Sequence, residues 1–132
     1  MLAIDKTNWN GVGVLKGPLE IVIMNDFLYR ERPQTVIELG SFTGGCALWM
    51  ADTLKCFGVK SHIYSIDYNF DNLHKHTKHR DDITFIQGDL REIEKILPEK
   101  MLKVCDYDCS SSTRAVSQPS RQSWCRPIHQ TS

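Results

Sequence analysis

From about Gly17 to about Leu102 the chain alternates stretches of helical and strand-like spacing. Leu19, Val22, Ile23, the run Asp26 to Leu28 and Tyr29 recur at helical intervals. They predict an amphipathic helix that begins after Pro18, a residue suited to a first turn, and stops before Pro33. Thr35-Val36-Ile37-Glu38-Leu39 is short and β-branched without strict alternation, as expected of a parallel strand covered on both faces. Ala47, Leu48, Met50, Ala51 and Leu54 fit a second helix ending near Gly58. Ser61 to Ile66 predicts a second strand closed by Asp67. A polar connection through His74, His76 and His79 leads to a third strand, Ile83-Thr84-Phe85-Ile86, closed by Gly88-Asp89. Ile93, Ile96 and Leu97 mark a last helix, closed by Pro98. This order of strands and helices is that of parallel α/β units joined by right-handed crossovers.

Beyond about Lys103 the pattern stops. Serines, prolines and arginines dominate, and neither Ser110-Ser111-Ser112-Thr113 nor the run from Gln118 to Ser123 carries a period of 3.6 or of 2. The chain therefore divides into an α/β unit over residues 1–102 and a tail over 103–132 that is expected to be disordered. Trp124 and Cys125 lie in that tail as isolated apolar residues.

Composition narrows the class. With 132 residues, 41% hydrophobic and 24% charged, the chain has the make-up of one soluble globular domain, which excludes collagen-like, fully disordered and membrane-embedded proteins. Sixteen basic residues balance sixteen acidic ones, so no net field draws the whole chain to nucleic acid or to an anionic membrane. Five cysteines at irregular spacing, with no signal peptide before them, point to a reducing compartment, and the expected location is cytoplasmic. No apolar run approaches the roughly 20 residues of a membrane helix.

Open parallel sheets bind ligands beyond the carboxyl ends of their strands. The first strand ends in Glu38 and a glycine-rich turn, Gly40-Ser41-Phe42-Thr43-Gly44-Gly45, which runs into a helix amino terminus. A dinucleotide fingerprint would need glycine where Phe42 stands, because a side chain there obstructs the pyrophosphate. A carboxylate at Glu38 suits an ammonium or sulfonium ligand better than a diphosphate, so the pattern favours S-adenosylmethionine over a nicotinamide dinucleotide. Asp67, about 27 residues after Gly40, can accept from both ribose hydroxyls of an adenosine. Asp89 can accept from an adenine amine or cap the helix after it, and both readings stand. The candidate cofactor residues are thus Glu38, Gly40, Ser41, Gly44, Gly45, Asp67 and Asp89.

Two other signals are weaker. His74, His76 and His79, interleaved with Lys75, Lys78 and Arg80, lack the paired spacing of a zinc site and read as a solvated connection, so no metal ligand is named. Cys46 stands near a helix amino terminus, where a thiol pKa can fall, but no base accompanies it, and a small buried residue is the reading.

From Trp9 to Asp89 the chain resembles the cephalosporin hydroxylase and rhamnosyl O-methyltransferase group of class I S-adenosylmethionine-dependent methyltransferases. The resemblance rests on Trp9-Asn10-Gly11-Val12, Lys16-Gly17-Pro18, the run Arg32 to Gly40, the run Gly44 to Asp52 and Ile63-Tyr64-Ser65-Ile66-Asp67. It implies a Rossmann-like parallel sheet, methyl transfer to a hydroxyl acceptor, Glu38, Gly40, Gly44 and Gly45 at the cofactor's methionine end, and Asp67 at its ribose. Members of the group continue through a fourth and a fifth strand whose carboxylates and histidine supply a divalent metal site and much of the acceptor pocket. Here Lys103-Val104-Cys105-Asp106-Tyr107-Asp108 follows instead, so the sheet is expected to be truncated after about three strands, with no catalytic residue to name. The strand Thr35 to Leu39 would then be an open edge, inviting self-association. The alternatives are the Rossmann half-domain of an NAD-dependent oxidoreductase and a non-catalytic truncated isoform or interaction fragment.

Overall fold

The computed structural model describes residues 7–97 and the strand Thr113–Val116. The chain opens with a hairpin that periodicity did not predict: β1 (Asn8–Trp9) pairs antiparallel with β2 (Val12–Gly13). The Asn10-Gly11 dipeptide between them is the sequence signal for it, because both turn residues adopt positive φ, 50° and 80°.

Helix α1 (Pro18–Glu31) follows, with proline in its first turn, and the Glu20 carboxylate accepts the Gly17 N–H at 2.7 Å. It ends where Arg32 turns left-handed ahead of Pro33, and the Arg32 N–H reaches the Leu28 carbonyl at 3.0 Å. The helix is in place, but its inner face differs from the expected one. Met24 and Leu28 are buried with Ile21 packed beside them, while Leu19, Val22, Ile23 and Tyr29 point to solvent. Apolar residues occupy both sides of this helix, so periodicity alone could not say which side meets the core.

The sheet runs in the order β5 (Ile83–Gln87), β4 (His62–Asp67), β3 (Thr35–Leu39), β6 (Thr113–Val116). Strands β3, β4 and β5 are parallel, as the sequence predicts. Helix α2 (Gly45–Cys56) connects β3 to β4 and packs with α1 on one face, where Val36, Ile63, Ala47, Met50 and Leu54 form the main core. The other face carries a smaller cluster of Ile37, Ile66 and Leu97, packed by the short helix α3 (Ile93–Ile96). Cover on both faces explains why β3 lacks alternation.

One segment departs from the expected tail. Thr113–Val116 lies antiparallel on β3, with Thr35 opposite Val116 and Glu38 opposite Thr113, so β3 is not an open edge over these residues. The reason is in β3 rather than in the segment: a strand with unpaired N–H and C=O groups templates any extended backbone beside it. Asp106, Asp108 and Trp124 lie outside the described residues. No helix among the described residues is long and apolar enough to cross a membrane.

Candidate cofactor site at the carboxyl ends of β3 and β4

Strand periodicity places Glu38 on the same face as Val36, beneath α2, and the parallel register sets Ser65 of β4 directly beside it. Along this face apolar residues give way to polar ones toward the carboxyl edge: Val36 and Ile63 are followed by Glu38 and Ser65, then by Asp67. Glu38 is only 3% exposed. The Ser65 hydroxyl lies 2.5 Å from Glu38 Oε2 and 2.7 Å from the Ser41 hydroxyl. Ser65 has one proton, so when it donates to the carboxylate, Ser41 donates to Ser65 in turn. This chain of hydroxyls does not offset the loss of water. Burial pushes the Glu38 carboxyl from its ordinary 4.5 up to about 7, against the opposing influence of Ser65, Cys46 and the positive charge of Lys16. The Cys46 thiol is also driven upward, first by burial and then by Glu38, so the helix amino terminus does not activate it.

The turn after β3 is built from left-handed residues, with φ of 93° at Gly40, 44° at Phe42 and 82° at Gly44. Phe42 pays for its conformation with a bond, its N–H donating to Asp67 Oδ2 at 2.9 Å. The Tyr68 N–H donates to Asp67 Oδ1 at 2.7 Å, so each carboxylate oxygen holds one backbone donor and keeps further acceptor capacity. Gly40 is a glycine with open space at its Cβ position, facing the edge of the sheet. At the other two glycines a side chain would meet its neighbours. A Cβ at Gly44 would lie 2.9 Å from Leu73 Cδ1 and from Thr77 Oγ1, and one at Gly45 would run into the Gly13 carbonyl. Thr43 completes the joint: its hydroxyl donates to that same Gly13 carbonyl at 2.5 Å, and its own carbonyl accepts from the His74 N–H at 3.0 Å.

Asp89 caps a short turn. It accepts the Arg91 N–H at 2.9 Å at the start of a 3-10 turn (Leu90–Glu92) and pairs with the Arg91 guanidinium at 2.6 Å, which lowers its carboxyl to about 2. It remains adjacent to the site through β5, because the Gly88 N–H donates to the Asp67 carbonyl at 2.9 Å. Two residues with no periodic signal also belong to the region. Lys16 is buried, 7% exposed, and acts electrostatically on both Glu38 and Cys46. Ser65 is fully buried, and only the strand register reveals its role.

No group of three or more histidine, cysteine, aspartate or glutamate side chains converges on a metal position among the described residues. A cavity of about 390 Å³ lies at the opposite end of the sheet, lined by Lys55, Lys60, His79, Arg80 and Asp82 among others. Its Arg80 and Asp82 neutralise each other across a 2.7 Å ion pair. The candidate cofactor residues lie at the other end of the sheet.

Residues 2–104 match the family Rhamnosyl O-methyltransferase/CmcI. The Rhamnosyl O-methyltransferase of Mycobacterium leprae (strain TN) is 27% identical over 115 residues, which are 80% of this chain and 50% of that protein. A solved structure of CmcI with SAH superposes with a TM-score of 0.63 at 29% identity, covering 67% of this chain and 43% of that one. A CmcI structure with Mg-SAM gives 0.62 at 30% identity, covering 65% and 37%. The chain thus spans half, or less than half, of the length of these relatives. With three parallel strands in register, the glycine turn stapled to Asp67 and a family match across most of its length, the chain belongs to the Rhamnosyl O-methyltransferase/CmcI family.

Proposed function

We propose that this chain binds S-adenosylmethionine at the carboxyl ends of β3 and β4 and carries the cofactor-binding part of an O-methyltransferase. One observation carries the reading: a buried carboxylate, Glu38, surrounded by hydroxyls and a thiol with no ion pair in contact among the described residues, beside an open glycine turn. Such a group is under-compensated until a cation arrives, and the ligand's ammonium and sulfonium groups are cations without an accompanying phosphate. In this arrangement Glu38 takes the ammonium, the backbone at Gly40 and Ser41 follows the methionine chain, and the remaining acceptor positions of Asp67 receive the two ribose hydroxyls. Gly44 and Gly45 shape the turn instead of touching the ligand, and Asp89 serves as a cap. When bound, the cofactor supplies an electrophilic methyl group. The acceptor is proposed to be a hydroxyl, as the name of the mycobacterial relative implies. The described residues do not fit a divalent metal.

Titration calorimetry of the full chain with S-adenosylmethionine, its demethylated product and NAD tests the reading. The two sulfur ligands are expected to bind and NAD to bind more weakly, because Phe42 occupies the place a pyrophosphate needs. Asp67→Ala should cost about 1 to 3 kcal/mol of binding free energy through lost buried hydrogen bonds. Tighter binding of NAD, or an affinity unchanged in Asp67→Ala, overturns the assignment.

A further inference from the structure

Lys16 is an unusual residue to find inside a domain of this size. Lysine is almost never fully buried unless it is paired, and this one is 7% exposed. It has no hydrogen bond and no ion pair to any side chain among the described residues. Its position is fixed from both sides. Three residues earlier, the Gly13 carbonyl is clamped between the Thr43 hydroxyl and the start of α2 at Gly45. One residue later, Gly17 is held by the Glu20 carboxylate at 2.7 Å as α1 begins. Between these two anchors Leu15 points outward, 55% exposed, and Lys16 points inward. The Gly13 clamp holds this segment against the start of α2, and the Lys16 charge acts on Glu38 and on Cys46, so Lys16 belongs to the neighbourhood of the proposed methionine end.

If Lys16 were simply the resident counter-ion of Glu38, the two would sit within 4 Å and the carboxyl would fall below its ordinary range. Neither holds, because no such pair forms and the carboxyl rises. The site therefore presents a buried anion and a buried cation in one neighbourhood, each without an ion in contact among the described residues. An α-amino acid is the ligand class that satisfies both, since it carries an ammonium and a carboxylate on the same carbon.

Resting on the S-adenosylmethionine reading, we infer that Lys16 binds the carboxylate of the cofactor's amino acid end while Glu38 binds its ammonium, so that the pair recognises the zwitterion as a unit. Lys16 is then a determinant of cofactor choice: it selects ligands that retain the carboxylate, and it repels those that carry only the ammonium.

Calorimetry of the full chain with S-adenosylhomocysteine and with its decarboxylated analogue, which keeps the amine and lacks the carboxylate, tests this. The unmodified chain should bind S-adenosylhomocysteine at least tenfold more tightly than the analogue. Lys16→Met should abolish that preference by weakening S-adenosylhomocysteine tenfold to a hundredfold and leaving the analogue unchanged or tighter. Equal binding of the two ligands by the unmodified chain, or equal weakening of both by Lys16→Met, overturns the role of Lys16 and leaves the cofactor reading intact. Failure of both ligands to bind the unmodified chain removes that reading and this one together. The comparison of two ligands on the unmodified chain decides the matter even if the variant does not fold.

Discussion

Two polar clusters lie at opposite ends of the same sheet, and they are built on opposite electrostatic terms. At the amino end, Asp52 of α2 accepts from the Trp9 indole N–H at 2.7 Å and from Arg80 at 2.7 Å, while Arg80 grips Asp82 through two bonds of 2.8 and 2.7 Å. Every ion there has an opposite ion in contact, and the hydrogen bonds between Arg80 and Asp82 push the carboxyl of Asp82 down, toward the charged form. The cluster ties the β1–β2 hairpin, α2 and the approach to β5 together. At the carboxyl end, Glu38 has hydroxyl partners and no ion in contact among the described residues, and its carboxyl is pushed the other way, to about 7. A cluster that completes its own charges is a staple, whereas one that leaves a charge incomplete carries a desolvation cost that the proposed cofactor's cation would offset.

Both clusters depend on the joint where β2 meets the start of α2, so the largest effect is expected there. Gly45→Val puts a side chain into the Gly13 carbonyl, a backbone atom that cannot step aside. The variant should lose about 3 kcal/mol or more and approach unfolding in urea titration. A melt like that of the unmodified chain would show that the joint is not shared.

Glu38→Gln separates the clusters by pH. The folded carboxyl titrates near 7 and the unfolded one near 4.5, so folding takes up a proton between these values. The stability that Glu38 contributes is fully present below about pH 4.5 and is lost as the pH rises through about 7, a change on the order of 3 kcal/mol. Glu38→Gln should therefore be more stable than the unmodified chain at pH 8, nearly equal to it at pH 4.5, and weaker in binding S-adenosylhomocysteine. Denaturation at both pH values, paired with calorimetry, checks this. A stability difference that does not vary with pH would erase the contrast between the two ends.

The complementary test breaks the staple. Asp52→Ala strands the Trp9 indole N–H and leaves Arg80 with Asp82 alone, but the lost ion pair is partly solvated, with side-chain exposures of 26% for Arg80 and 20% for Asp52. The expected cost is about 2 kcal/mol in urea denaturation, below that of a fully buried pair. The affinity for S-adenosylhomocysteine should stay within about twofold of the original. A large loss of affinity would mean that the two ends communicate.

The smallest effect belongs to Asp89. Its carboxylate is already engaged by Arg91, so Asp89→Ala should leave S-adenosylhomocysteine affinity within about twofold in calorimetry. A loss of tenfold or more would restore the adenine contact that the sequence allowed.

Much of the fold was legible because its signals are local. A β-branched run for β3, five apolar residues at helical spacing for α2, and strands closed by Asp67 and Gly88 need no knowledge of their neighbours. The glycine turn and Asp67 were legible for the same reason, since a turn's chemistry is written in consecutive residues. Gly44 and Gly45 were legible as a turn but not by role, because what forbids their side chains is Leu73, Thr77 and Gly13.

The sequence by itself determined which elements exist, their order, and the carboxylates that close the strands. Tertiary structure alone decided the rest. It chose the inner face of α1, Ile21, Met24 and Leu28 over Leu19, Val22 and Ile23, because a helix apolar on both sides is oriented by what it packs against. It made a strand of Thr113–Val116, because the hydrogen bonds that define that strand are offered by β3. It brought Lys16 and Ser65 to Glu38, residues 22 positions before it and 27 after it in the chain, through a clamp at Gly13 and a parallel register. Periodicity records how a residue sits on its own element, while the charge state of Glu38 is set by the groups that other elements deliver to it and by the water they exclude.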